Sequence, residues 1–214
     1  MSGYGEAQFE ETELEAGADL FKISCEFFKG VVKVEQLPPG DRLEIAFAGR
    51  SNVGKSSLLN ALVNQKSLAR TSNSPGRTRE LNYFSISDKL YIVDMPGYGF
   101  ARASKSLIRG WTELIHDYLK GRQSLRRVFL LIDSRHGLKK TDMQILSLMD
   151  ESAVSYQVVF TKTDKVREQS LQELISKTTE LLKKRPAAFP EILSTSSRKK
   201  TGIAELKATI AGLI

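Results

Sequence analysis

The run Gly49-Arg50-Ser51-Asn52-Val53-Gly54-Lys55-Ser56 constrains this chain more than any other feature. It follows the short apolar run Leu43 to Ala48 and precedes Leu58, Leu59, Leu62 and Val63, which recur at helical spacing. Strand, glycine loop, helix is the order that GxxxxGK[ST] requires, because backbone N–H groups at a helix N-terminus must approach phosphates without side chains in the way. In that arrangement Lys55 reaches the β and γ phosphates and Ser56 ligates magnesium. A chance match to four fixed positions is on the order of one in a hundred for a chain of this size. The loop by itself names no base.

Downstream, strands and helices alternate. Leu81 to Ile86 and Lys89 to Val93 are separated by Ser87-Asp88, the pattern of a hairpin, and Ile108, Trp111, Leu114, Ile115 and Tyr118 trace one helical face. Strand Val128 to Ile132, helix Thr141 to Met149, strand Gln157 to Phe160, helix Ser170 to Lys183, strand Ile192 to Thr195 and helix Ile203 to Leu213 complete the order. The expected fold is an α/β P-loop nucleotide-binding domain: about six strands, mostly parallel with one antiparallel, and helices on both faces. Residues 1–20 are acidic and read as a flexible arm with one weak helical stripe at Leu14, Ala18 and Phe21; residues 21–214 read as a single domain.

Ligands of such sheets bind beyond the carboxyl ends of the strands, and the remaining motifs fall there. Thr161-Lys162-Thr163-Asp164 ends one strand. Asp164 can accept from the N1 and N2 donors of guanine, a pairing adenine lacks, while the Lys162 stem lies along the base. Asp94-Met95-Pro96-Gly97 ends another strand, so Asp94 can hold a magnesium-bound water and the Gly97 N–H can meet the γ phosphate. Thr78, in the loop Ser72 to Glu80, is the natural second hydroxyl on magnesium, ordered by the γ phosphate; alone, it would be an ordinary loop threonine. Lys55, Thr78 and Gly97 are therefore the expected catalytic groups, and Ser56 and Thr78 the expected metal ligands.

Charge bears on partners. The net charge is +7, but residues 1–21 hold six acids and no base, so the rest of the chain sets 32 bases against 19 acids, a body of +13. Runs such as Lys183-Lys184-Arg185 and Arg198-Lys199-Lys200 suit a polyanion such as RNA, or form a solvated face. No apolar run approaches the ~20 residues that span a bilayer, residues 1–9 lack the marks of a secretory signal, and the single Cys25 reads as a small buried thiol. A cytoplasmic monomer is expected.

The wording of these blocks narrows the reading. GRSNVGKSSLLNAL, NSPGRT, DMPGYGFA, DSRHGLK and TKTDK resemble the EngB (YihA/YsxC) family of bacterial GTP-binding proteins, within the TrmE-Era-EngA-EngB-like group, over roughly residues 20–214. The resemblance implies a magnesium-dependent GTPase linked to large-subunit ribosome assembly and to normal septation. A GTP-controlled septum scaffold with little turnover is the alternative. The resemblance also extends the nucleotide contacts through Ser57, to Gly76, Arg77, Thr78, Arg79 and Glu80, and to Thr195, Ser196 and Ser197, with Ser196-Ser197-Arg198 taking the place of the serine loop behind guanine.

Three readings bear on hydrolysis. Tyr98 stands where small GTPases commonly place a water-orienting glutamine, and a phenol lacks the paired donor and acceptor of an amide, so unaided hydrolysis is expected to be slow. Asn52 resembles the potassium-binding asparagine of several bacterial GTPases, or else stabilises the turn. Arg77 and Arg79 can swing inward as an internal arginine finger, or stay solvated as exposed arginines usually do. His136 has no assignable carboxylate partner and receives no role.

Overall fold

The computed structural model describes residues 5–6, 8–65, 68, 80–98 and 105–214, with backbone alone at 5–6 and 105–112. Among the described residues eight strands make one sheet: β1 (Gly5–Glu6), β2 (Cys25–Val31), β3 (Leu43–Gly49), β4 (Leu81–Ile86), β5 (Leu90–Asp94), β6 (Leu125–Asp133), β7 (Tyr156–Thr161) and β8 (Glu191–Ser194), in the order β1-β8-β7-β6-β3-β5-β4-β2. Among these, β4 runs antiparallel to both β5 and β2, and the other strands share one direction. Six α-helices among the described residues connect and cover them: α1 (Glu11–Leu20), α2 (Lys55–Leu62), α3 (Lys105–Gly121), α4 (Lys140–Glu151), α5 (Glu168–Leu182) and α6 (Ile203–Ala211).

The central strand β3 is covered on both sides, and its alternation sorts the core. Ala46 and Ala48 face Leu114, Ile115 and Tyr118 of α3 with Leu146 and Met149 of α4, while Ile45 and Phe47 face Leu58, Leu59 and Leu62 of α2 with Leu206 and Ile210 of α6. The chain leaves β3 on one side to pair it with β5, then crosses to the other side to pair it with β6. That reversal makes the carboxyl end of β3 the switch point at which an open α/β sheet opens a crevice.

The α/β architecture and the single antiparallel strand stand as read from the sequence. The number of strands differs, since β2 and the short β1 are added. Residues 26–28 of β2 are exposed and its register slips between Phe27 and Lys29, so an edge strand with a bulge lost the period-two signal that marks half-buried strands. Residues 11–20, expected within a flexible arm, form α1 and pack on α6. Gly17 allows this. A Cβ there would collide with the α6 backbone at Lys207 and Ala208. Phe21 is buried just beyond α1, with the Lys207 ammonium 5.5 Å from its ring centroid.

Glu44 pins the far end of β3. Its fully buried carboxylate accepts from Tyr118 at 3.0 Å, Tyr83 at 3.3 Å and Arg122 Nε at 2.8 Å. A buried carboxylate left unpaired would be strongly destabilising, so this set explains why an acid can start the central strand and ties α3 to it.

Candidate functional site

The carboxyl ends of β8, β7, β6, β3 and β5 lie side by side, and five sequence blocks converge there in that order. At β3 the chain turns sharply. Val53 N–H donates to the Arg50 carbonyl at 3.1 Å, Asn52 takes φ 62° and Gly54 φ 104°, and α2 begins at Lys55. Gly54 suits a left-handed position that L side chains rarely adopt. Gly49 leaves no room for a side chain either, since a Cβ would lie 2.8 Å from Val53 Cγ1 and 3.1 Å from Leu131. Lys55 and Ser56 are half-buried in the first turn of α2, and Ser57 is exposed beside them. The opening N–H groups of a helix have no partner inside it, so the loop is built to receive an anion.

Both neighbouring motifs grip this loop. From β5, Tyr98 N–H donates to the Gly49 carbonyl at 3.2 Å and Ser51 N–H donates to the Tyr98 carbonyl at 3.0 Å. From β7, Thr161 Oγ1 donates to the Val53 carbonyl at 2.7 Å and Lys162 Nζ to the Asn52 carbonyl at 2.6 Å. Asn52 thus spends its backbone on the turn, with its side chain exposed.

Asp94, at the end of β5, forms an ion pair with Lys55. Burial pushes the Asp94 carboxyl above its ordinary range, against the pull of the Lys55 ammonium. Met95 and Pro96 are buried, and Gly97 sits against the loop: a Cβ would lie 3.3 Å from both Cα and N of Ser51. The oxygen donors here, a Ser56 hydroxyl and the Asp94 carboxylate, suit a hard cation that takes most of its ligands from phosphate and water. Among the described residues no cluster of three or more His, Cys, Asp or Glu could hold a metal unaided.

Tyr98 departs from expectation. Its side chain is buried, and its hydroxyl donates to Asp142 Oδ1 of α4 at 2.7 Å. The apolar ring completes the core under α4, and that burial outweighs any tendency of the phenol to face solvent. Burial and Asp142 together push the phenol far above its ordinary value.

At the other end, Lys162 adopts φ 58° and residues 163–165 form one tight turn. Asp164 Oδ1 accepts from Ser196 Oγ at 2.7 Å, and this hydroxyl holds the carboxyl below the usual carboxylate range. Ser196 in turn accepts from Lys199 N–H at 3.1 Å, while Thr195 accepts from Thr163 N–H at 3.2 Å and places its own hydroxyl on the Phe160 carbonyl at 2.8 Å. Ser196 is the member of the serine loop that touches Asp164; Thr195 is structural, and Ser197 is half-buried beside them.

One acid was not anticipated. Asp133, at the end of β6, accepts from Lys162 Nζ at 2.9 Å and from Arg135 Nε and guanidinium nitrogen at 2.9 and 2.7 Å. Burial works against its charge, but Arg135 and Lys162 hold the carboxyl well below the usual range. Its position between the β7 and β3 ends was the available signal.

Gly76, Arg77, Thr78 and Arg79 lie outside the described residues, as does the Trp111 side chain. Glu80 is described and exposed, its carboxylate lying against Gly30 of β2. Cys25 is buried, which pushes its thiol up to about 12 and agrees with a packing role. Among the described residues no helix is long and apolar enough to cross a membrane.

Residues 44–162 match the family described as 50S ribosome-binding GTPase. A GTP-binding protein EngB of Cereibacter sphaeroides is 53% identical over 204 residues, which cover 95% of this chain and 94% of that protein. A crystal structure of an EngB GTP-binding protein superposes with a TM-score of 0.64 at 25% identity, covering 79% of this chain and 97% of that one. Era, solved with MgGDPNP and nucleotides 1506–1542 of 16S ribosomal RNA, superposes with a TM-score of 0.63 at 27% identity over 81% of this chain and 57% of its own.

Proposed function

Because the chain belongs to the EngB family of GTP-binding proteins and is a GTPase, we propose that it is a magnesium-dependent switch whose GTP state binds a large ribosomal particle during assembly. The observation that carries the nucleotide part is the order of strand ends. Asp164 with Ser196, Lys162 with Asp133, the Gly49–Ser56 loop and Asp94 stand in one row from β8 to β5, long enough to take a base at one end and phosphates at the other.

In that row Asp164 reads guanine, its carboxylate pre-aimed by Ser196, and the Lys162 stem covers the base while its ammonium is held by Asp133 and Asn52. Lys55 exchanges the Asp94 carboxylate for phosphate oxygens, which frees Asp94 from the ion pair. Ser56 and Thr78 would supply hydroxyls to magnesium, which would neutralise phosphate charge when bound. Gly97 offers its N–H to the γ phosphate. With Tyr98 buried, no amide side chain follows Gly97 to orient water, so hydrolysis without a partner is slow.

The ribosomal assignment is supported by the description of the matching family and by the RNA bound to Era. The basic surface divides. Arg185 is tied to Asp150 at 2.7 Å and Lys183 to Glu180 at 2.6 Å, whereas Arg198, Lys199 and Lys200 are exposed on the loop beside Asp164. The second run is the better placed to meet phosphates. Co-sedimentation with large ribosomal subunits tests this: a non-hydrolysable GTP analogue strengthens binding over GDP and added salt weakens it, whereas equal binding with GDP, GTP analogue or no nucleotide refutes it. On this reading septation depends on ribosome supply, and a fluorescent fusion is diffuse in the cytoplasm; a septal signal that survives ribosome depletion would favour the scaffold.

A further inference from the structure

The Tyr98 side chain lies in the core, yet its backbone is bonded to the site. Its N–H and C=O both bond the phosphate loop, at Gly49 and Ser51, and its phenol reaches through the core to α4. The acceptor, Asp142, is fully buried, and its second oxygen accepts the Lys139 N–H at 2.7 Å at the start of α4. A buried carboxylate is tolerated only with such partners, so the pair is rigid by construction. Gly97 is the residue directly before this anchor, and it packs against Ser51 of the loop.

We infer that the Tyr98–Asp142 hydrogen bond is a positioning element that sets the Gly97 peptide for the γ phosphate, so that α4 helps the site to tell GTP from GDP. This rests on the reading of Gly97 given above. The reasoning is geometric. With the phenol bonded to α4 and the Tyr98 backbone bonded to both sides of the loop, the Gly97 N–H has little freedom. Without the phenol bond, the peptide is held from the loop side alone, and presenting its N–H costs ordering that GTP must supply. GDP has no γ phosphate and makes no such demand.

The experiment measures the Kd of the full chain for GDP and for a non-hydrolysable GTP analogue in wild type, Tyr98→Phe, Asp142→Asn and the double variant, with thermal melting alongside. Tyr156→Phe is the control. It removes another core phenol bond, to Asp150 at 3.1 Å, away from the nucleotide row. Tyr98→Phe is expected to weaken the GTP analogue about tenfold with GDP changed less than about twofold, a coupling of ordinary size between sites. The double variant loses no more GTP preference than Tyr98→Phe, because without the phenol the Asp142 side chain no longer reaches the anchor of Gly97. Tyr156→Phe lowers the melting temperature and leaves the GTP/GDP ratio at the wild-type value. If Tyr98→Phe weakens both nucleotides equally, or shifts melting alone, the positioning role is overturned. If wild type itself fails to bind either guanine nucleotide, the reading of the site falls instead.

Discussion

Thr161 joins the end of β7 to the phosphate loop through one bond, from its Oγ1 to the Val53 carbonyl at 2.7 Å, and both residues are buried. Thr161→Val keeps the volume and β-branching of the side chain and removes the donor. No cavity forms, so the cost is that of a buried carbonyl without its partner, about 1–3 kcal/mol. For a chain of this length each kcal/mol lowers the melting temperature by about 2–4 °C, so a fall of about 2–12 °C is expected by calorimetry. The phosphate loop serves GDP and GTP alike. Whatever part of that energy the nucleotide must restore therefore appears as an equal rise in both Kd values, up to about tenfold for each 1.4 kcal/mol. Thr161→Ser retains the donor and should recover most of both losses. The reasoning is refuted if Thr161→Val leaves melting and both affinities unchanged, or if Thr161→Ser is as damaging as Thr161→Val.

Three further outcomes follow from neighbouring contacts. Ser196→Ala removes the hydroxyl that aims Asp164 and should weaken GDP and GTP together by about five- to tenfold in a fluorescent-nucleotide titration, since hydrogen bonds to charged groups are worth about 1.5–3 kcal/mol before solvent exposure discounts them. Asp133 has a folded-state pKa below the unfolded value of about 3.9, so the unfolded chain binds more protons there. Its contribution is present above about pH 4 and lost as pH falls through the lowered value. The urea midpoint of Asp133→Asn should therefore lie below wild type at neutral pH, and the gap should close on acidification. Lastly, if Asn52 holds potassium, hydrolysis is faster in KCl than in NaCl, and Asn52→Gly, which keeps the positive φ, abolishes the difference. Equal rates in both salts leave Asn52 with its turn alone.

The parts of the molecule that were legible in the sequence are those in which backbone requirement and residue type coincide. Gly54 at φ 104°, the apolar stripe of α2 and the all-apolar β3 each carry a local signal, and the βα alternation fixed the order of the rest. Asp164 was expected at a strand end from the Thr161-Lys162-Thr163-Asp164 wording and the alternation, and it lies just past the end of β7. What escaped depended on contacts distant in the chain. Tyr98 reads as a site residue because it follows Gly97, and only its bond to Asp142, 44 positions away, shows that it belongs to the core. Asp133 reads as part of a loop until β6 and β7 are paired and Lys162 falls within reach. β2 carried too broken a pattern to count as a strand. The docking of α1 depended on Gly17, whose value lies in the side chain it lacks where α6 passes.

The central claim is that the row of strand ends reads guanine through Asp164. Its most direct test is competition for a labelled guanine nucleotide by GTP and xanthosine triphosphate, in wild type and Asp164→Asn. An amide offers a donor where the carboxylate only accepts, so it suits the carbonyl that xanthine carries in place of the guanine amino group. The account predicts that Asp164→Asn loses affinity for GTP and gains it for xanthosine triphosphate, while melting stays near wild type. Unchanged GTP affinity in Asp164→Asn would contradict it.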